Sequence, residues 1–214
     1  MADTGNGMNR SPYRFQVGLG AALLFALSSC VTSSEVVVES GSPWLQPSPI
    51  LKQQILDEAE RLPWTHGFER LEQIRWFALV GEPAYDTLLK LAEDERDDVA
   101  SASLAAMGDT SDRRLVPHIH RLQWSPRRLQ GDLGLERART LLKLGDWSEI
   151  PTLIAGLRDE RVYTRTLCIQ ALEQTTGRTL SFDAHAEDVD RERAAVSWEL
   201  WWKSRTSEGL LGGK

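Results

Sequence analysis

Apolar residues recur at helical spacing from Pro49 onward, and the alternation of apolar and polar residues that marks β-strands is nearly absent. Ser48 supplies a capping hydroxyl and Pro49 suits a first turn, so the pattern predicts a helix that begins there. The stripe runs through Arg61, and Pro63 predicts its end. Its apolar members are Ile50, Ile55, Ala59 and Leu62.

Three further helices follow in the same pattern. We expect Thr65 to cap the second helix, and Gly81 with Pro83 to end it and open the third. The run Asp94–Asp98 predicts a solvated turn with acids in the first turn of the fourth helix, a metal site being the weaker alternative. The fourth helix is expected to end at Gly108. The apolar positions of these helices are Phe68, Leu71, Ile74, Trp76, Phe77 and Val80, then Tyr85, Leu88, Leu89 and Leu91, then Val99, Ala102, Leu104, Ala106 and Met107.

An internal repeat runs through the middle of the chain. The segment 116–119, Val-Pro-His-Ile, returns 34 residues later as the segment 150–153, Ile-Pro-Thr-Leu. Gly-Asp corners at 108–109 and 145–146 precede the two copies, and residues 81–99 form a third, more degenerate copy. Each copy leads to a second helix rich in small and aliphatic residues. These are Leu135, Ala138, Leu141, Leu142 and Leu144 in one copy, and Cys168, Ala171 and Leu172 in the next.

This unit resembles the HEAT-like repeats, which place a Leu-Gly-Asp corner and an apolar-Pro pair before a first helix, and an Asp-containing turn before a second. The resemblance covers about residues 70–177. It implies an all-α fold over 49–206, a short right-handed α-solenoid of antiparallel helix pairs with helical caps. Two departures are evident: Ala100 stands where arginine is usual, and the middle copy has an insertion or a broken helix between Trp124 and Gly134.

The C-terminal part predicts a helical cap. A helix is expected near 189–204, after a stop at Gly177, and its aromatic face would seal the last repeat. The residues of that face, at i, i+4, i+7 and i+8, are Ala194, Trp198, Trp201 and Trp202. The tail, residues 207–214, is expected to be disordered.

The first 29 residues have the layout of a secretory signal. A polar stretch with two arginines precedes an apolar run over 15–27, about 13 residues or roughly 20 Å of helix. A bilayer core needs about 20 apolar residues, so the run is short for a membrane span. Met8 is an alternative start to Met1, because it would shorten a long polar lead.

A four-residue motif, Leu27-Ser28-Ser29-Cys30, closes the apolar run. It resembles the aliphatic–small–small–cysteine motif of bacterial lipoproteins. The resemblance implies that a diacylglycerol alkylates the Cys30 thiol, that a peptidase cuts between Ser29 and Cys30, and that acylation of the new amine can follow. Two or three acyl chains anchor a protein stably. An uncleaved anchor, or an ordinary signal with a coincidental cysteine, are the alternatives.

The resemblance also addresses the segment after the motif. An aspartate after the cysteine would favour inner-membrane retention, so Val31 favours the outer membrane where the cell has one. Residues 30–48 are small, polar and proline-containing, which predicts a flexible tether between the anchor and the helices. Trp44 in this segment is expected to dock on the first helix rather than lie in the lipid interface.

Net charge and cysteine content limit the classes of partner and the disulfides that the sequence allows. The net charge is −6, and because residues 1–29 contain one acid and two arginines, the chain from Cys30 onward carries −7. Nothing in this balance would neutralise phosphates, so we expect no nucleic-acid partner. The chain has two cysteines, and lipidation of Cys30 would leave Cys168 without a disulfide partner.

The candidate chemistry in the helical part is sparse. His118 and His120 are two residues apart, so on a helix they diverge and cannot share a metal ion. Cys168 lies on an apolar helix face and is interpreted as an inert core thiol. The sequence has no glycine-rich phosphate loop, Ser-His-Asp pattern or zinc spacing. We therefore predict no catalytic residue, no metal and no cofactor.

Three residues are the candidates for a partner surface: Trp124 and Trp147, which are expected in loops at one edge, and Arg165. For Arg165 an inter-repeat salt bridge or carbonyl contact is the favoured interpretation over ligand binding. The concave face of such repeats is usually lined by the second helices, here near 96–107, 135–144 and 161–175.

The leading hypothesis is a lipid-anchored cell-envelope scaffold that binds a protein partner and has no catalytic activity of its own. It would be a monomer on the cell membrane or outer membrane, facing the periplasm or the exterior. The alternative is a HEAT-like lyase or enzyme accessory protein that binds a small molecule or prosthetic group. That alternative requires a pocket with convergent polar groups.

Overall fold

The computed structural model describes residues 41–211 of the chain. The predicted signal peptide, the motif that ends at Cys30, and the tether up to residue 40 lie outside the described residues. Between residues 41 and 211 the regular structure is entirely helical, with no strand, so the all-α prediction is confirmed for this range. None of the helices in this range combines the length and the apolar character needed to cross a bilayer.

Ten α-helices pack against one another in the described range. They are α1 Pro49–Arg61, α2 Gly67–Val80, α3 Tyr85–Ala92, α4 Asp97–Asp109, α5 Val116–His120, α6 Pro126–Leu129, α7 Asp132–Lys143, α8 Ile150–Gly156, α9 Val162–Thr176 and α10 Asp188–Leu211. Four short 3-10 turns lie in the connections between helices, at Leu62–Trp64, Glu82–Ala84, Arg113–Leu115 and Trp147–Glu149.

Local backbone chemistry sets several of these boundaries as the sequence predicts. The Ser48 hydroxyl accepts a hydrogen bond from the Leu51 N–H at 3.3 Å, and α1 ends at Arg61. Gly81 ends α2 with a φ of 68°, and Gly177 ends α9 in the left-handed region. These angles favour glycine because it has no Cβ.

The predicted cap of α2 is wrong. Thr65 is buried, and its hydroxyl lies 3.1 Å from the Leu62 carbonyl oxygen and 2.6 Å from the Gln73 side-chain oxygen. The hydroxyl therefore closes the turn after α1 from the inside and does not reach the free amides of α2. That helix begins two residues later, at Gly67.

One of the two corners predicted at Gly-Asp pairs lies elsewhere in the structure. Gly108 is not a corner, because it lies inside α4, which ends at Asp109, and packs tightly on α7. The counterpart of Gly145, which has a φ of 84°, is Ser111 with a φ of 56°, exactly one 34-residue offset earlier. Asp112 and Asp146 then match, since each side chain accepts a backbone N–H from two residues further on, at 3.0 Å.

The predicted break in the middle copy is confirmed. The first helix, α5, is short, and α6 follows with the Ser125 hydroxyl accepting the Arg128 N–H at 3.4 Å. The turn from α6 into α7 passes so close to Gly134 that an added Cβ would lie 1.8 Å from the Leu129 carbonyl oxygen. Glycine is therefore required at position 134.

The helix α7 lies at the centre of the packing. It contacts α4 on one side and α8 and α9 on the other, while α4 also contacts α2 and α3. Its residues Leu133, Leu141 and Leu144 belong to one apolar cluster, and Ala138 and Leu142 belong to the next. The core thus has two large clusters that share this helix, and a smaller third cluster consists of Leu62, Val99 and Ala102.

The two ends of the folded body extend beyond their predicted limits. Trp44, in the predicted tether, is buried, with its ring centroid 5.0 Å from that of Tyr85 and 4.8 Å from that of His118. Docking of Trp44 is confirmed, but its ring partners belong to α3 and α5 rather than to α1. At the other end α10 continues to Leu211, so the disorder predicted for residues 207–211 is wrong.

Candidate functional site

Arg165 is inside the protein and does not line a surface. The residue is 4% exposed. Its Nε and Nη2 donate to the Ala184 carbonyl at 3.0 and 2.6 Å, and Nη1 donates to the carbonyls of Asp159 and Glu160 at 2.7 and 2.8 Å. The carbonyl-contact interpretation is confirmed. As a partner-surface residue Arg165 is a wrong assignment, because its guanidinium is consumed in tying the turn before α9 to the segment before α10.

Trp124 is half-buried and committed to the fold. Its indole N–H donates to the Ala92 carbonyl at 3.0 Å, and its ring packs against the first apolar cluster. The residue therefore joins the break in the middle copy to the end of α3. Its indole N–H is thus used within the fold, while the residue stays partly exposed.

Trp147 is also half-buried, but it lies at the edge of an aromatic group. Its ring centroid is 6.5 Å from that of Trp201, and the Arg205 guanidinium carbon lies 4.5 Å from the Trp147 centroid. A cation at this distance over an indole face is attracted by the ring. Trp124 and Trp147 are both half-buried, and Trp147 is the one of the two with an arginine over its ring.

A groove lined by polar and apolar side chains lies between α4, α7 and α9. Its volume is about 200 Å³. Its lining comes from three helices that were expected to be the second helices of their repeats. The lining residues are Ser101 from α4, Asp132, Leu135, Glu136 and Arg139 from α7, and Tyr163, Thr164, Leu167 and Cys168 from α9.

An ion pair lies within this groove. The Arg139 Nη1 donates to Glu136 Oε2 at 2.6 Å, and both side chains are largely buried. Burial raises the pKa of the Glu136 carboxyl above its usual range, and the charges of Arg139 and Lys143 oppose that shift. The Arg139 Nε is buried without an acceptor among the described residues. The pair is thus a polar feature in an otherwise apolar setting.

Tyr163 marks the mouth of the groove. Its side chain is 74% exposed at the start of α9, whereas the neighbouring Thr164 and Cys168 are buried. Exposed tyrosine beside a concave surface is typical of interaction sites, because its ring gives a large contact area at low cost in conformational entropy. The arrangement offers a partner an aromatic contact, an ion pair and a cleft.

Cys168 is not a nucleophile in this arrangement. Burial raises the pKa of its thiol to about 12. Gly156 packs so closely on it that an added Cβ would lie 2.5 Å from the sulfur. The thiol is therefore protonated at neutral pH and enclosed, as expected for a core residue.

The two histidines have structural contacts. His118 lies against Trp44, while His120 Nε2 is 2.6 Å from an Asp146 carboxylate oxygen and its Nδ1 is 3.0 Å from the Arg137 guanidinium. The side chains have separate surroundings, so they do not share a ligand. Within residues 41–211 no group of His, Cys, Asp and Glu has the arrangement of a metal site.

A second groove runs between α1 and α3. It is larger, about 500 Å³, and its apolar members are Leu56, Ala59, Pro63 and Leu91. The charged residues that line it are mostly exposed, and none of them belongs to a buried pair. It offers apolar contact without the buried polar groups that would orient a ligand.

The sequence analysis did not single out Glu136, Arg139 or Tyr163. An acid and an arginine three residues apart on a predicted second helix give a weak signal for a pair on one face. Tyr163 gives none, because exposure at a helix start depends on the packing of α9.

No family model, curated protein or solved structure matches the chain. A function for this protein therefore has to be inferred from its own residues.

Proposed function

We propose that this protein is a lipid-anchored scaffold of the cell envelope, built from HEAT-like repeats, that binds a protein partner at the groove between α4, α7 and α9. The observation that carries the partner site is Tyr163, an exposed tyrosine beside a cleft that contains a buried ion pair. Catalysis by the protein itself is not part of the proposal.

Regular spacing of the contacts between segments supports the repeat interpretation. The three helices expected as second helices pack in series, α4 on α7 and α7 on α9, and α2 also packs on α4. Polar contacts between neighbours join residues about one repeat apart, as a stack of similar units requires. Examples with their separations are Asp97 with Arg128 at 31, Glu82 with Arg114 at 32, Trp124 with Ala92 at 32, Lys143 with Asp109 at 34, and Thr140 with Leu104 at 36.

The size of the groove favours a protein partner over a small molecule. Pockets for drug-sized ligands typically measure about 300–1,000 Å³, and this groove has about 200 Å³. A single side chain of a partner fits such a volume, with Tyr163 alongside it. A prosthetic group, as the lyase-type alternative needs, would not be enclosed there.

The anchor rests on the motif at the end of the N-terminal apolar run. An acyl chain on Cys30 would hold the helical body at a membrane surface from its N-terminal side, since Trp44 follows only 14 residues later. The net charge of −7 from Cys30 onward favours a partner with basic or apolar contacts over nucleic acid.

Acylation is tested by Cys30→Ala in a bacterium that processes lipoproteins. We expect the variant to lose incorporation of labelled fatty acid and to accumulate as the uncut precursor. The matched control is Cys168→Ala, which removes the other thiol and should be labelled and cut like the unchanged chain. Cleavage and labelling that persist in Cys30→Ala would refute the anchor.

The partner site is tested by a photo-crosslinking amino acid at position 163. We expect a discrete envelope protein to be captured from position 163 and not from position 189, where Val189 is similarly exposed on α10. Tyr163→Asp should abolish co-purification of that same protein, because it replaces the aromatic contact with a charge. Equal capture from both positions would contradict a partner site at this groove.

A further inference from the structure

Exposed apolar side chains are concentrated at the N-terminal end of the described range. Of the thirteen large hydrophobic residues that are exposed, seven lie between Leu45 and Leu79. Trp64 and Phe68 are 79% and 74% exposed, and they are the exposed tryptophan and phenylalanine of this set. Single exposed hydrophobics are ordinary, but a concentration of this kind typically marks an interaction surface.

Three of these seven residues lie on one face of α2, and Trp64 lies in the turn just before it. Phe68, Leu71 and Leu79 fall on the same side of the helix at 100° per residue, and all are exposed, Leu79 at 87%. The opposite side, with Gln73 and Phe77, is buried. We call the exposed set Trp64, Phe68, Leu71 and Leu79 the outer α2 face.

The position of α2 explains why this face has no cover. In a series of packed helix pairs each pair is covered by its neighbours, and the first pair has a neighbour on one side alone. The helix α2 packs on α4, and Phe68, Leu71 and Leu79 stay exposed. Leu79 lies at the edge of a groove that also includes Glu58 and Arg61 of α1. Terminal units normally carry polar residues on such a face, whereas here it carries aromatic and aliphatic ones.

Two arginines and three glutamates on and beside this surface form ion pairs, with the acids in slight excess. Arg75 pairs with Glu72 at 2.6 Å, and Arg61 pairs with Glu58 and Glu69 at 2.7 and 2.8 Å. The outer α2 face therefore has no basic excess to bind anionic groups. The Glu72–Arg75 pair lies on the same side of α2 as Phe68, Leu71 and Leu79. Aromatic and aliphatic residues around a charged pair suit the interface between lipid headgroups and acyl chains.

The chain length before the face identifies the lipid surface as its occupant. The folded body is fixed from Trp44 onward. The 14 residues from Cys30 to Trp44 can span at most about 50 Å when fully extended. An acylated Cys30 would therefore limit the distance between Trp44 and the bilayer to about 50 Å, and the exposed apolar residues are concentrated at that end of the body.

We propose that the outer α2 face lies in the headgroup region of the same membrane that holds the Cys30 lipid, so that the anchored body has one orientation. This inference rests on the lipid anchor of the proposed function. It places the α4–α7–α9 groove away from the bilayer, since each packed helix adds about 8–10 Å to the distance from α2. The groove is then open to a partner in the aqueous phase.

Spin labels on the full, processed chain in phosphatidylcholine vesicles test this orientation. The label is attached at Phe68→Cys, and Leu200→Cys on α10 is the matched control, since Leu200 is also apolar and is 61% exposed. Cys168 is buried and does not compete for the label. We expect collisions with a water-soluble nickel chelate to be about fivefold fewer at position 68 than at 200, and collisions with oxygen to be more frequent, because the interface admits oxygen and excludes the chelate.

The outcomes distinguish this inference from the anchor. Leu79→Cys should give the same result as Phe68→Cys, because both residues are on the outer α2 face. Equal access of the nickel chelate to positions 68 and 200 on an acylated protein would overturn the orientation alone. Shielding of position 68 from both reagents would mean that a second copy or another protein covers the face, and would also overturn it. A mass spectrum without acyl chains on Cys30 would refute the anchor and the orientation together.

Discussion

The two ends of the helical body differ in whether their apolar side chains are buried or exposed. At the C-terminal end α10 lies against α8, and its Trp198 is completely buried in the second apolar cluster. At the N-terminal end the outer α2 face is left open to its surroundings. The difference shows that apolar content does not by itself indicate whether a terminal helix seals a core or presents a surface.

The contrast extends to the tryptophans. Trp198 and Trp201 pack edge to face with centroids 5.4 Å apart, Trp202 follows at 6.1 Å from Trp201, and the Arg178 guanidinium carbon lies 5.6 Å from the Trp201 centroid. Trp64 has no aromatic partner among the described residues. Trp198 is therefore buried in the core at one end, whereas Trp64 is 79% exposed near the other.

The largest effect is expected from Trp198→Ala at the sealed end. Removal of this buried indole should lower the free energy of unfolding by about 3–5 kcal/mol, since it leaves a cavity between α8 and α10. Urea denaturation followed by circular dichroism measures the change. The control is Leu200→Ala on the same helix, which should stay within about 0.5 kcal/mol of the unchanged protein. A loss below about 1 kcal/mol for Trp198→Ala would mean that α10 does not seal the core.

The next effect tests whether the open end has a cap elsewhere. Trp44→Ala should cost about 3 kcal/mol, because the ring is 7% exposed and packs on Tyr85 and His118. Leu45→Ala, at a residue 62% exposed, is the matched control and should change stability little. If Trp44→Ala proves as mild as its control, the segment before α1 contributes nothing to the N-terminal end, and the contrast between the ends becomes sharper.

A smaller loss is expected from Arg165→Lys. The lysine keeps the charge but cannot donate to the carbonyls of Asp159, Glu160 and Ala184 together, so we expect about 2 kcal/mol of destabilisation. The exposed Arg161→Lys is the control and should be destabilised much less, because solvent screens its ion pairs with Asp132 and Asp159. Thermal unfolding of both variants measures the difference. Equal melting temperatures would show that the guanidinium does not hold the segment that leads into α10.

The smallest effect is expected on the outer α2 face. Leu79→Gln should change the free energy of unfolding by no more than about 0.5 kcal/mol, because the side chain is 87% exposed and glutamine is a good helix former. Val80, which packs on the first cluster, gives the matched comparison as Val80→Ala, with an expected loss of about 1–2 kcal/mol. A loss at Leu79 as large as that at Val80 would remove the contrast between the two ends.

Boundaries that depend on local backbone chemistry could be predicted from the sequence. A serine before a proline started α1, and glycines with positive φ ended α2 and α9. Thr65 and Ser111 could not be predicted in the same way. The direction of the Thr65 hydroxyl depends on Gln73 from the next helix, and a serine at positive φ has no sequence signal.

Surface candidates were the least predictable, because availability depends on contacts made far along the chain. Trp124 finds its acceptor 32 residues away in Ala92, and Arg165 finds one 19 residues away in Ala184. Both residues appear free when the chain is considered one segment at a time. Tyr163 illustrates the converse, since its exposure follows from the way α9 packs on α7 and α8.

The docking of Trp44 has a mechanical consequence. Tension applied to the chain before Gly41 reaches the Trp44 indole, and the Leu45 N–H that donates to Glu82 at 3.1 Å, before it reaches α1. The Trp44 indole has to separate from Tyr85 and His118 before the force can unwind the first turn of α1. We therefore expect a body that is pulled through the chain before Gly41 to lose the Trp44 contact first, while its helices stay intact.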